Sequence, residues 1–284
     1  GMRASRPTIR ERLQEGGILV AMGAHDGLSA RLAEREGFRA LYHGSYAAAS
    51  AHGLPDIGLI GLGETTANLR RVTSSSSLPV IADADTGYGD EVAVAHTVRE
   101  LERAGASAIQ LEDQVWPKRC GHMPGKAVVP VEEMVLKVRA AVAARDPETV
   151  IIARTDALQR DGLEAALARC RAYAEAGADL VFVDAPQTRE QLEAAATRGG
   201  APGMANMVET GVTPLLPVRE LEAMGFALVI FPATHVWAMA GAYRRVARAI
   251  RADGTTEAVR GELLSFAETN EVLGLDELRP EAAA

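Results

Sequence analysis

The chain is poor in cysteine, has no long apolar run and has no block of basic residues. Its two cysteines in 284 residues, Cys120 and Cys170, are too few for a disulfide framework. Cys170 lies in Ala165-Ala166-Leu167-Ala168-Arg169-Cys170, a helix-like stretch, and reads as a buried small hydrophobe. No run of about 18 uncharged apolar residues exists, so no transmembrane helix is expected. The segment Met2-Arg3-Ala4-Ser5-Arg6-Pro7 lacks the apolar core of a secretion signal, and the expected compartment is the cytoplasm. Basic residues are scattered, paired at most as in Arg244-Arg245, and the formal net charge is −8. Neither nucleic acid nor anionic membrane is an expected partner. No GxGxxG turn follows the first apolar run, which argues against a dinucleotide-binding open sheet.

What the chain does have is a regular alternation. It is 48% hydrophobic with a mean hydropathy of 0.00 and a pI of about 5.4. Eight short runs, at 18–22, 40–43, 80–83, 108–112, 150–154, 180–184, 203–206 and 228–231, are apolar throughout. Such runs suit parallel strands covered on both faces. Amphipathic segments at 28–36, 92–104, 132–144, 163–176 and 221–224 lie between them. Gly37, Gly105, Gly177 and Gly225 stand where a helix would end in a left-handed residue, a weak repeat of the βα unit. The expectation is α/β: a (β/α)₈ TIM barrel, one domain over residues 1–284, with flexible ends at 1–7 and 277–284. A doubly wound open sheet is the alternative. Ser74-Ser75-Ser76-Ser77 reads as a polar link before the third strand. The helix-prone segments 235–253 and 256–269 exceed what one closing helix needs. They either cap the same barrel or pack on a neighbouring subunit.

In such a barrel the chemistry sits at the C-terminal ends of strands. Polar residues fall there: Tyr42, His43, Gly44 and Ser45; Asp83 and Asp85; Glu112 and Asp113; Arg154, Thr155 and Asp156; Asp184; Asn206; Pro232, Thr234 and His235. On an extended strand end Asp83 and Asp85 face one side about 7 Å apart and repel unless a cation or proton lies between them. Asp56, in Gly53-Leu54-Pro55-Asp56, and Glu112 could complete an oxygen shell suited to Mg²⁺. The competing reading is that these carboxylates cap helices or pair with Arg154. Cys120 follows Lys118-Arg119 and precedes Gly121-His122 in a loop with Pro117, Pro124 and Gly125. This mixture suits a mobile lid, and cationic neighbours would depress the thiol's pKa, making it a proton donor or acceptor. Cys120 and His122 alone are too few for a zinc site. Arg154 ends a buried run and needs an anionic partner: a substrate carboxylate, or internally Asp184 or Glu112.

These motifs resemble the isocitrate lyase / phosphoenolpyruvate mutase superfamily over roughly residues 8 to 270. The resemblance rests on Gly53-Leu54-Pro55-Asp56, Asp83-Ala84-Asp85-Thr86-Gly87, Glu112-Asp113-Gln114, Lys118-Arg119-Cys120-Gly121-His122 and Ala153-Arg154-Thr155-Asp156-Ala157. The segment Lys118–122 looks like the lyase branch, which cleaves a C–C bond in 2-hydroxy acids such as 2-methylisocitrate and 2,3-dimethylmalate. The resemblance implies Mg²⁺, with Mn²⁺ as a substitute, held directly by Asp83 and through water by Asp56, Asp85 and Glu112. It groups Cys120, Lys118, His122 and Tyr42 as catalytic. It makes Gly44, Ser45, Arg119, Gly121, Arg154, Asp184, Asn206 and Thr234 substrate-binding. The substrate would be a small carboxylate. It would split into an α-oxo acid and a second carboxylate that takes its proton from Cys120. A homo-oligomer is implied, a dimer or tetramer (a homotetramer in the fullest form), with C-terminal helices swapped between subunits.

Three departures from the family pattern bear on substrate. Gly44-Ser45 stands where Ser-Gly is usual, Asp184 where lyases carry Glu, and Met123 where methylisocitrate lyases carry Arg. Pro232 stands where oxaloacetate hydrolases carry Ser. The alternative functions are hydrolysis or decarboxylation of oxaloacetate, a phosphonate (C–P) mutase or hydrolase, and a barrel that binds without catalysis.

Overall fold

The computed structural model describes residues 6–278. Each apolar run forms a strand: β1 (Leu19–Gly23), β2 (Ala40–His43), β3 (Val80–Asp83), β4 (Ala108–Glu112), β5 (Val150–Thr155), β6 (Leu180–Val183), β7 (Met204–Asn206) and β8 (Leu228–Phe231). All pairings are parallel, in the order β6-β5-β4-β3-β2-β1-β8-β7. A parallel bridge from Val181 to Gly203 joins the two ends of that order, so the sheet is a nearly closed (β/α)₈ barrel and not an open one. Strand limits differ from expectation by a residue at several ends. Asp184 lies just past β6, and β5 extends to Thr155.

The strands are apolar throughout because both faces are covered. Tyr42, Ile81, Ile152, Phe182 and Ile230 point into the barrel. Alternate residues such as Leu41, Val80, Ile109 and Ile151 pack outward in the layer shared with the surrounding helices. The N-terminal helix Ile9–Gln14 closes the bottom. Ile9 is fully buried in the interior cluster, and its N–H donates to Ser107 Oγ at 2.7 Å. The barrel floor is therefore a packed core, and the strands' C-terminal ends are where a site of this fold is expected.

Gly37, Gly105, Gly177 and Gly225 have φ of 85°, 99°, 110° and 103°, as the helix-stop pattern predicts. Two expectations need correction. The helix Leu62–Ser75 runs through half of the serine tract and stops at Ser76, so the polar link is shorter than expected. The segment 256–269 is not one helix. A 3₁₀ turn, Glu257–Glu262, gives way to extended backbone at Leu263, and a new helix, Phe266–Val272, starts there. The break is set by Ser265, whose side chain caps Glu268 N while Glu268 caps Ser265 N. This last part lies against its own barrel: Arg35 Nη1 meets Glu271 Oε1 at 2.8 Å. Glu277 and Leu278 belong to a helical turn, Leu275–Leu278. The remaining residues expected to be flexible, 1–5 and 279–284, lie outside the described residues.

Candidate active site

A small cavity of about 70 Å³ opens at the C-terminal ends of the strands. β3 delivers Asp83 to it. The chain then leaves the extended conformation, with Asp85 at φ 48°, so the straight-strand geometry expected for the two aspartates does not occur. The turn instead folds Asp85 back, and its N–H donates to Asp83 Oδ1 at 2.9 Å. Asp83, Asp85 and Glu112 each place one carboxylate oxygen within 4.8 Å of the others, all buried. Ser45 donates to Asp83 Oδ2 from its N–H at 3.2 Å and from Oγ at 2.8 Å. The Gly44-Ser45 order thus puts a hydroxyl on a candidate metal ligand.

Asp56 joins differently. It contacts Lys118 Nζ, which also lies 2.8 Å from Asp85 Oδ1 and donates to Ser45 Oγ at 2.8 Å. The acidic residues therefore form a group of three plus a fourth linked through a lysine. Burial raises the Asp85 pKa to about 6 and that of Glu112 well above the ordinary range, with Lys118 and Arg154 opposing. Both Asp85 oxygens and Glu112 Oε1 are buried without a hydrogen-bond partner. Lys118 is near Asp85 in distance but not aligned as a donor. Converging carboxylate oxygens, buried and unsatisfied, suit a hard divalent cation.

Arg154, at the end of β5, realises the internal pairing left open by the sequence. It meets Glu112 Oε2 at 3.2 Å and Asp184 Oδ2 at 3.1 Å. It also forks onto Asp156, with Nε donating to Oδ2 at 3.0 Å and Nη2 to Oδ1 at 2.8 Å. Lys126 bridges Asp156 at 2.9 Å and Asp184 at 3.3 Å. Burial works against ionising Asp184, but Arg154 and Lys126 overcome it and hold the carboxyl below its usual range. Asp156 and Lys126 join this ionic network, a role that the sequence reading did not assign to either. The first could be found from its position two residues beyond Arg154; the second had no local signal.

The loop from Val115 to Val129 lies shut over this set. Gln114 clamps its base, donating to Arg119 O and accepting from Arg119 N, each at 2.9 Å. Cys120 N–H donates to Asp56 O at 3.1 Å. Gly121 presses onto Asp184 so closely that a Cβ there would overlap the carboxylate. His122 Nδ1 accepts from Val212 N–H at 3.0 Å, pinning the loop to the one after β7.

The expected depressed pKa of Cys120 is wrong. Burial pushes the thiol up, aided by the nearby Asp56 and Asp184; a backbone hydrogen bond from His122 and the charge of Arg154 oppose it without reversing the shift. Its sequence neighbours do not help because Lys118 is engaged by carboxylates and Arg119 Nη1 donates to Pro124 O.

Tyr42 faces inward, with its hydroxyl donating to Gln110 Oε1 at 3.1 Å, while the next residue, His43, faces outward onto Asn68 Oδ1 at 2.6 Å. Tyr42, Gly44, Ser45, Asp56, Asp83, Lys118, Arg119, Cys120, Gly121, His122, Arg154, Asp184 and Asn206 line one cavity. Asp85 and Glu112 lie beside it, joined to it through Lys118 and Arg154. Thr234 is not brought in. Its hydroxyl bonds Glu209 at the start of the helix Thr234–Asp253. Tyr46, Phe182 and Trp237 line the cavity without having been foreseen.

Comparison with known proteins places the whole barrel in a family. The family model for phosphoenolpyruvate phosphomutase matches residues 9–251. The chain belongs to that family. Among curated relatives of this phosphoenolpyruvate phosphomutase family member, the 2,3-dimethylmalate lyase of Eubacterium barkeri is 43% identical over 273 residues, covering 95% of this chain and 94% of the relative. The 2-methylisocitrate lyase of Aeropyrum pernix is 44% identical, covering 94% of this chain and 86% of the relative. A crystal structure of 2,3-dimethylmalate lyase, described as a member of the phosphoenolpyruvate mutase/isocitrate lyase superfamily, superimposes with a TM-score of 0.89 at 39% identity, covering 98% and 94% of the two chains. Oxaloacetate acetylhydrolase bound to 3,3-difluorooxalacetate gives 0.90 at 36% identity, covering 96% and 94%. Close relatives are thus lyases of small carboxylates, and a hydrolase shares the fold.

Proposed function

We propose that the protein is a Mg²⁺-dependent carbon–carbon lyase that splits a 2-hydroxy di- or tricarboxylate into an α-oxo acid and a carboxylate. The observation that carries this reading is the placement of the Cys120 thiol and the Asp83 carboxylate on one cavity beneath a shut loop. Asp83, Asp85 and Glu112 would hold the ion, which supplies Lewis-acid stabilisation of the oxygen on the breaking C–C bond.

The chain's own groups account for the rest. Lys118 stays an ammonium, because burial lowers its pKa but Asp85, Asp56, Glu112 and Asp83 together raise it well above the ordinary value, and it balances negative charge beside Asp83. His122 accepts at Nδ1, so its Nε2 carries the proton and can donate to a substrate carboxylate. A carboxylate of the acidic group takes the hydroxyl proton of the substrate, the C2–C3 electron pair moves to the carboxylate fragment, and the oxo acid is released. Cys120, kept as a neutral thiol by burial and by Asp56 and Asp184, then gives its proton to that carbon. The closed loop excludes water from the carbanion.

Pro232 on the cavity wall offers no hydroxyl, which weighs against oxaloacetate hydrolysis. Release of pyruvate or glyoxylate from a panel of 2-hydroxy acids, dependent on Mg²⁺ and abolished by chelation, is the expected result. Release of oxalate from oxaloacetate, with no oxo acid from any hydroxy acid, would overturn the reading.

The reading extends to a homo-oligomer, a dimer or tetramer in which the C-terminal helices, which in the single chain lie on their own barrel, would be exchanged. Of the 20-residue helix Thr234–Asp253 only Val236 is buried, and Met239, Tyr243 and Ile250 are exposed. Light scattering on the eluting protein would show a monomer if this part is wrong. A cytoplasmic location fits two unpaired cysteines and the lack, among the described residues, of a helix long and apolar enough to cross a membrane. Cell fractionation tests it.

A further inference from the structure

The cavity has two unlike sides. One carries the ionic groups described above. The other is formed by Tyr46, Val208, Ile230, Pro232 and Trp237. Trp237 stands in the first turn of the helix Thr234–Asp253, and Tyr46 is the second residue of the helix Ser45–Ala51. The indole N–H donates to the Tyr46 hydroxyl at 3.0 Å, and the rings meet edge to face with centroids 5.8 Å apart at 75°. The indole's one polar atom is thereby satisfied, and its carbon face is what a ligand meets.

The cations lining the cavity all belong to the other side. Lys118 and Arg154 are held by carboxylates, and Arg119 is turned to Pro124 O. The Tyr46–Trp237 side includes no lysine or arginine among its lining residues. A carboxylate pressed against it would give up water with no counter-charge, whereas an alkyl group would gain from leaving water.

We propose that Tyr46 and Trp237 form the pocket that reads the substituent on carbon 3 of the substrate, and that Trp237 sets its length. The pocket takes a short alkyl group and rejects a carboxymethyl group, so the substrate is an alkyl-substituted dicarboxylate. This deepens the lyase reading and rests on it.

The test is a series of 2-methylmalates bearing hydrogen, methyl, ethyl, propyl or carboxymethyl at carbon 3. Every member releases pyruvate, so one coupled assay reads kcat/KM for all. For the wild type the carboxymethyl acid is expected to fall about 100-fold or more below the methyl acid. Trp237→Ala is expected to raise the propyl-to-methyl ratio about 10-fold, and Trp237→Phe, which keeps an aromatic ring, about 3-fold. The ratio separates this role from a structural one, because damage to the fold lowers all substrates together. Unchanged ratios in both variants, a uniform fall across the series, or a wild type that prefers the carboxymethyl acid would overturn the pocket while leaving the lyase reading intact. No pyruvate from any acid would overturn the lyase reading and the pocket with it. If Trp237→Ala does not fold, the Trp237→Phe ratio decides alone.

Discussion

The barrel mouth and the C-terminal helical segment break the usual inside–outside rule in opposite directions. At the mouth charged groups are covered: Asp83, Asp85, Glu112, Asp156 and Asp184 are at most 6% exposed. In the helical segment large apolar side chains are uncovered, with Tyr243 77%, Phe266 85% and Leu278 78% exposed. The mouth sustains its buried charges by pairing them through Lys118, Lys126 and Arg154. That arrangement costs desolvation and is poor evidence of stability for its own sake. The helical segment keeps apolar area that a barrel core would have taken in. Each departure is one that the chain's own core does not explain: converging carboxylates at the mouth, uncovered apolar side chains at the helices.

If that contrast is right, changes at the mouth act on chemistry and changes at the helices act on assembly. The largest effect is expected from Asp83→Ala, which removes one of the three converging carboxylates. A loss of several kcal/mol of transition-state stabilisation corresponds to a fall in kcat/KM of at least about 1,000-fold. Titration calorimetry should show Mg²⁺ binding lost, and retained binding would end the metal assignment.

Cys120→Ala follows, with a fall of about 100- to 10,000-fold in kcat and an unaltered Mg²⁺ isotherm. A variant that turns over normally would remove the thiol from the mechanism. Gly121→Ala comes next. Its Cβ would meet the Asp184 carboxylate, so the loop cannot seat, and about 100-fold in kcat/KM is expected with little change in thermal midpoint. A wild-type rate would mean that the shut loop is not needed.

The fourth prediction concerns the junction of the two regions. His235, in the first turn of the C-terminal helix, faces His25 at 5.0 Å ring to ring, with Asp26 and His43 also near. Burial, and then His25, lower its pKa to about 4. The unfolded chain, with His near 6.5, then binds more protons between pH 6.5 and 4, so stability falls as pH drops through that window and levels off below it. Denaturation of the wild type and of His235→Gln at pH 7 and pH 5 should show a smaller loss in the variant; equal losses would contradict it. The smallest effect on rate is expected from Phe266→Asp, an exposed position where substitution moves stability by about 0.5 kcal/mol or less. Its readout is the oligomer mass, expected to fall, and an unchanged mass would mean that this surface makes no subunit contact.

Much of the barrel is legible along the chain because a strand covered on both faces must be apolar at every position. Val80-Ile81-Ala82 and Val150-Ile151-Ile152 say so without help from distant residues. The C-terminal helix break at Ser265 was equally local, since Ser265 and Glu268 have capping-box spacing, but the apolar and charged residues around it hide the signal. The site is only half legible. Its acidic residues stand at strand ends and declare themselves. What they do depends on partners far off in sequence: Lys118 lies 62 residues from Asp56, and Lys126 lies 58 from Asp184. The error over Cys120 has that origin. Adjacent cations in the sequence suggested an acidified thiol, and the fold turned those cations elsewhere. Tyr46 and Trp237, 191 residues apart, could not have been paired from the sequence.

The sequence alone determined the succession of eight apolar strands, the glycines that end the helices between them, and the strand ends where chemistry gathers. Those features follow from backbone conformation and from burying apolar area, both of which act over a few residues. Only the tertiary structure decided which charges meet, which way the thiol's pKa moves and which wall of the cavity is apolar. Electrostatic energies depend on distance in space and on exclusion of water, and neither quantity is written in the spacing of residues along a chain.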